Sequence, residues 1–167
     1  MKRQTITTLA AAGMAILAGL PVSAAASENE HKIVDRMTPS QVVSIMQNTG
    51  YAAYVDEDGE GDPMILASKG GEKFGVIFFD CEKAGPLPDR YCTDLEFLAI
   101  YELDRKPSLA KLNEWNANQS FGRTFLRDDG NVVMQMPINL AMGVSESFIT
   151  SSLEWWDSVM AEFDKHL

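Results

Sequence analysis

The sequence predicts an α+β fold, an antiparallel sheet with flanking helices in the order αββββαββα. Three observations predict it. Polar capping residues at Thr38 and Ser145 stand directly before apolar patterns at helical spacing. Four strand-like segments lie between residues 51 and 103, separated by Gly- and Pro-rich turns. Asp128-Asp129-Gly130-Asn131 is a hairpin turn signal between two further apolar segments.

The first helix is expected from about Pro39 to Thr49. Thr38 can cap it, Pro39 suits the first helical position, and Gln41 can close a capping box. Val42, Val43, Ile45 and Met46 give it an apolar stripe, and Gly50 marks its end. Residues 51–55 and 63–67 then read as two short strands around the acidic turn Asp56-Glu57-Asp58-Gly59-Glu60-Gly61-Asp62. Lys73 to Asp80 is an aromatic, β-branched strand. Cys92 to Leu103 alternates Leu95, Phe97, Ala99 and Tyr101 against Asp94, Glu96, Leu98 and Ile100, the pattern of a strand with at least one well-buried face. These four strands are expected to form an antiparallel meander.

A second helix is expected from Pro107 to near Asn118, with Leu109, Leu112 and Trp115 on one side. The segments 121–127 and 132–138 flank the Asp-Gly turn. The last helix carries Ile149, Leu153, Trp156, Met160 and Phe163, with Phe148, Trp155 and Val159 widening the stripe. So wide a stripe needs a sheet or a second protomer to cover it. Trp155 and Trp156 cannot both point inward, since neighbouring helical residues lie about 100° apart.

The chain has 167 residues, enough for one domain, and a formal net charge of −10. Its first residues carry a three-part export pattern: Lys2-Arg3, an uncharged Ile6 to Leu20, then Pro21 and small-residue sites ending at Ala24 and Ala26. As a helix the apolar stretch covers about 22 Å, short of a hydrocarbon core of about 30 Å. Residues 1–26 are therefore expected to be a cleaved secretory signal, 27–37 a linker with an ordered lead-in at Ile33-Val34, and 38–167 one domain. The expected location is periplasmic or secreted. Cleavage removes two of the 14 bases and none of the 24 acids, leaving −12. Such a surface repels nucleic acid and anionic lipid, and no membrane association is expected once the signal is gone.

Chemistry is sparse. His31 falls in the linker, and His166 is read as a cation at the negative end of the last helix, so the serines lack a credible base. No phosphate loop, dinucleotide fingerprint or zinc-protease motif is present, and neither catalysis nor a cofactor is expected. Cys81 and Cys92 frame a ten-residue hairpin loop and in an oxidising compartment should form a disulfide. Asp56, Asp58, Glu60 and Gly61 match positions 1, 3, 5 and 6 of a calcium loop, but the position for its bidentate glutamate is Ala67. Asp56, Asp58, Glu60 and Asp62 are thus weak metal candidates and are read first as a solvated turn. Trp115, Asn116 and Asn118 crowd the end of the second helix. With Arg123 and Trp155 they are the candidate partner-binding residues, although a buried Trp115 is the blander expectation.

The segments MTPSQVVSIMQNTGY, KFGVIFFDC and LNEWNANQSFGRTFLRDDGNVVMQMPINLAMGVSESF resemble the YbjN-like family. The most specific features are Leu112-Asn113-Glu114-Trp115-Asn116, Gly122-Arg123, the Asp-Gly turn and Gly143-Val144-Ser145. The resemblance spans about Met37 to Leu167. It implies a type III secretion chaperone-like α+β fold, related to small acidic chaperones that often dimerise and bind segments of other proteins. It also implies a role in regulating sensory transduction, and it brings no catalytic residues. Export and a disulfide set this chain apart from the cytosolic chaperone pattern. The expected function is a non-enzymatic, chaperone-like binding module, regulatory in role by resemblance alone, acting as a homodimer on a protein segment. The alternative is a small-ligand or calcium sensor working through Asp56–Asp62.

Overall fold

Thr38 opens the first helix by local chemistry. Its hydroxyl accepts from the Gln41 amide at 3.2 Å while the Gln41 side chain accepts from the Thr38 amide at 2.9 Å. Two donors that a helix start leaves without partners are thereby satisfied. This helix, α1, spans Pro39–Asn48. The computed structural model describes residues 32–167; the expected signal segment and His31 lie outside them.

Ahead of α1, strand β1 (Ile33–Val34) pairs antiparallel with β8 (Val144–Ser145). Met37 is buried and exchanges both backbone hydrogen bonds with Cys92. Residues 32–37 therefore fold with the domain.

The expected meander is present. Strands β2 (Ala52–Glu57), β3 (Pro63–Lys69), β4 (Glu72–Cys81) and β5 (Cys92–Tyr101) pair antiparallel in sequence order. Helix α2 (Leu109–Asn118) then leads to β6 (Arg123–Leu126) and β7 (Val132–Asn139). Strand β7 inserts beside β5 and leaves β6 at the edge, giving the order β2-β3-β4-β5-β7-β6. Helix α3 spans Glu146–His166, capped by the Ser145 hydroxyl, which accepts from the Phe148 amide. The predicted αββββαββα order therefore holds within an α+β fold, to which the small β1–β8 pair is added. Helix α2 begins at Leu109 rather than Pro107, because the Ser108 hydroxyl accepts from the Lys111 amide and sets the start.

One face of the sheet carries Ile65, Phe74, Val76, Phe97, Met134 and their alternating neighbours, all buried. Against it pack Val42 and Met46 of α1, Leu112 and Trp115 of α2, and the full stripe of α3. The stripe on α3 is thus covered by the sheet of the same chain, so it supplies no reason for a second protomer. Trp156 is fully buried and Trp155 is 43% exposed, as the helical angle between them requires.

Cys81 and Cys92 form a disulfide. They stand directly opposite in the β4–β5 register. Because the Cys92 amide and carbonyl both bond to Met37, they face away from β4. The two cysteines therefore occupy a non-hydrogen-bonded position, where opposing residues approach most closely.

Gly122 shows why a glycine stands in the link between α2 and β6. Its φ is +74°, and an added Cβ would lie 2.3 Å from Val159 Cγ1 and 2.9 Å from Met134 Sδ. Its carbonyl accepts from the Trp115 indole N–H at 2.7 Å. Left-handed strain and overpacking add, so Gly122→Ala is expected to lower stability by about 2–4 kcal/mol in urea unfolding. An unchanged midpoint would refute this account of the position.

Candidate functional site: the open face of the sheet

Among the described residues, α1, α2 and α3 all pack on one face of the sheet, which leaves the other toward solvent. That second face is unusually apolar. Tyr54 of β2, Met64 and Leu66 of β3, Ile77 of β4, and Leu98 and Ile100 of β5 all project from it. Tyr54 is 59% exposed and Ile100 48%. An antiparallel sheet with one solvated face ordinarily alternates apolar with polar residues, and here Met64, Leu66, Ile77, Leu98 and Ile100 make part of β3, β4 and β5 apolar on both faces. Together these side chains wall an open groove of about 530 Å³, with Ser68 and Lys73 at one end.

Gly75 forms the floor. It pairs with Leu66 on one side and Leu98 on the other. Its backbone lies outside the left-handed region, and an added Cβ would meet its nearest neighbour, the Ile65 carbonyl, at 3.7 Å. Neither conformation nor crowding demands glycine there. What glycine provides is the space above it.

At the other end of β4 and β5 the same face turns acidic. Phe79, Asp94, Glu96, Pro137 and Asn139 surround a second hollow of about 450 Å³, with Asp80 at its rim. Asp94 lies opposite Phe79, and Glu96 opposite Ile77, so the hollow begins where the apolar groove ends. Glu96 accepts from Gln135 Nε2 at 2.6 Å, and Asp94 accepts from the Asn139 side chain.

Partial burial raises the Glu96 pKa above the usual glutamate value, against the lowering effects of the Gln135 hydrogen bond and the Arg123 charge. The folded state therefore binds this proton more tightly than the unfolded state. The stability it contributes is complete below the ordinary glutamate pKa and is lost as pH rises through the raised one. Carboxyl chemical shifts are expected to place Glu96 above the range of exposed glutamates, and Glu96→Gln should unfold at least as high in urea at neutral pH. A Glu96 titrating below the ordinary glutamate value would contradict this.

The residues singled out from sequence are distributed differently. Trp115 is buried against Phe163 and donates its N–H to Gly122, so it offers no partner contact. Asn116 donates to the Thr124 carbonyl at 2.9 Å and accepts from the Thr124 amide at 2.8 Å. It thereby caps edge strand β6 as a neighbouring strand would, which is a structural task. Asn118 donates to the Glu114 carbonyl within α2. Arg123 lies on the open face and acts on Glu96 by its charge. Trp155 stacks on Phe121, with centroids 5.2 Å apart, and meets Phe148 edge-on; all three rings are exposed.

His166 lies in the last turn of α3, with its Nε2 2.9 Å from the Lys111 carbonyl and its ring against Trp115. In the acidic turn, Asp58 accepts from the amides of Glu60 and Asp62. These backbone hydrogen bonds, led by that from Asp62, hold its carboxyl below the usual range. Asp56 accepts from the Glu57 amide. Among the described residues no group of three or more His, Cys, Asp or Glu side chains is placed to hold a metal ion. The geometry of Asp56, Asp58, Glu60 and Asp62 is that of a self-bonded turn.

The groove residues themselves escaped the sequence reading. Their signal was present, as Met64, Leu66, Ile77, Leu98 and Ile100 fill strand positions where a solvated face carries charge.

A family model described as "Putative bacterial sensory transduction regulator" matches residues 38–167. The chain belongs to the YbjN family. The match begins at the Thr38 cap and runs through α3, so it takes in every strand of the six-stranded sheet and both hollows on its open face. Neither a curated protein nor a solved structure matches the chain.

Proposed function

We propose that this protein is an exported, non-enzymatic regulatory module that binds a segment of a partner protein on the open face of its sheet. The apolar groove over Gly75 carries this reading. A contiguous apolar face of that kind on a charged protein marks an interaction surface. The family's regulatory description is compatible with it, and the chaperone-like fold implied by the sequence resemblance points the same way. The Cys81–Cys92 bridge suits the oxidising compartment to which the N-terminal signal pattern directs the chain.

The proposal includes a homodimer, formed through the exposed strip of Phe121, Phe148 and Trp155 rather than through the buried stripe of α3. Light scattering on the purified protein should then give a dimer that Trp155→Ser converts to monomer. A monomer at high micromolar concentration would remove this part.

Photo-crosslinking in cells tests the binding reading. A crosslinker placed at Leu66 or Leu98 should capture one discrete partner, and Gly75→Leu in the same chain should abolish the adduct. Capture that survives Gly75→Leu, or no adduct from either position, would overturn it.

A further inference from the structure

The two hollows on the open sheet face form one continuous surface whose character changes along β4 and β5. At the Lys73 end the walls are Tyr54, Leu66 and Ile100. Past Ile77 and Leu98 the next outward residues on the same strands are Phe79 and Glu96, and then Asp94. Asp80, Asp94 and Glu96 bring three carboxylates to this end, and the Arg123 charge acts on Glu96. The protein as a whole carries −10.

Resting on the binding reading above, we infer that the occupant is an extended segment of another protein. Apolar side chains at alternate positions lie in the groove over Gly75, and a basic residue at one end reaches the Asp94–Glu96 hollow. Alternation follows from the site's dimensions. An extended chain places every second side chain on one face, about 6.8 Å apart, which matches the spacing of residues along the strands beneath it. The charge preference follows from the gradient. An acidic terminus on the segment would meet carboxylates, one of them partly desolvated, whereas arginine or lysine there neutralises them. Polarity of this kind also fixes direction, with the basic end over Glu96 and the opposite end toward Lys73.

The test uses a short synthetic peptide with leucine at every second position and a pair of arginines at one end. It is compared by calorimetry with the same peptide ending in a pair of glutamates. The basic-ended peptide is expected to bind about fivefold more tightly, with the advantage shrinking in high salt. Glu96→Gln with Asp94→Asn should erase most of that preference while leaving the binding that the apolar positions provide. Gly75→Leu, whose Cβ has room, should abolish both.

Equal binding of the two peptides, blocked by Gly75→Leu, would overturn the charge inference and leave the groove reading standing. Failure of both peptides to bind, or binding unaffected by Gly75→Leu, would overturn the groove reading and this inference with it. Light scattering on the unliganded protein supplies the last arm. A dimer lost in Gly75→Leu but kept in Trp155→Ser would assign the face to a second copy of this chain and overturn the proposal. An oligomeric state indifferent to Gly75→Leu supports it.

Discussion

Replacing Trp156 with alanine is expected to cost about 3–5 kcal/mol, enough to unfold a domain of ordinary marginal stability. Trp156 is fully buried at the centre of α3. Its ring lies 5.9 Å from that of Phe74 and 5.8 Å from that of Phe97, in tilted and edge-on contacts. It is the point where helix and central strands interlock, so truncation removes a large apolar area and leaves a cavity its ordered neighbours cannot fill. Its indole N–H has no partner among the described residues. Trp156→Phe keeps most of the ring contacts and deletes that unpaired donor, so it should cost far less than the alanine variant. Urea unfolding followed by far-ultraviolet dichroism measures both. Equal losses for the two variants would mean that ring packing is not what matters at this position.

Reducing the Cys81–Cys92 bridge is expected to cost about 3 kcal/mol. The bond closes a short loop, and breaking it restores entropy to the unfolded chain. Its place in the fold gives the loss a local signature. Cys92 is held by Met37 through both backbone groups, so weakening the start of β5 should loosen the lead-in to α1 as well. Urea unfolding of the Cys81→Ser/Cys92→Ser double variant should show the lower midpoint, and hydrogen exchange should quicken first at Met37 and Cys92. If oxidised and reduced protein unfold at the same urea concentration, the bridge contributes nothing to stability.

What could be read from the chain depended on whether its cause was local. The Thr38–Gln41 box and the Ser145 cap are interactions between residues a few positions apart, so they were legible and the helix starts followed from them. The 128–131 turn was legible for the same reason: Gly130 takes φ +92°, and Asp129 accepts from the Asn131 amide. The placement of β7 between β5 and β6 was not legible. It is a pairing across the link that contains α2, and nothing in β7 itself names its neighbour. The blander expectation for Trp115, burial, holds; what was not legible is that Trp115 and Asn116 are tied to Gly122 and Thr124, which lie on the strand side of the next turn. The wide stripe on α3 was correctly seen as needing cover, and the sheet supplies it.

The alternation in β5 was read correctly as two faces, but Leu98 and Ile100 were assigned to the more polar one with Asp94 and Glu96. Only the packing of all three helices on the opposite side reveals that these residues, with Leu66 and Ile77, are left uncovered. The open face is thus formed by positions whose individual identities are ordinary for a strand. Their meaning arises from the sheet.

The most direct test of the central claim is methyl NMR on the purified protein, titrated with the leucine-alternating, arginine-ended peptide. Binding at the open face predicts that the methyl groups of Met64, Leu66, Ile77, Leu98 and Ile100 shift together, while those of Leu112, Ile149 and Leu153 beneath the sheet stay in place. Shifts confined to the helix side, or spread evenly over both sets, would contradict it.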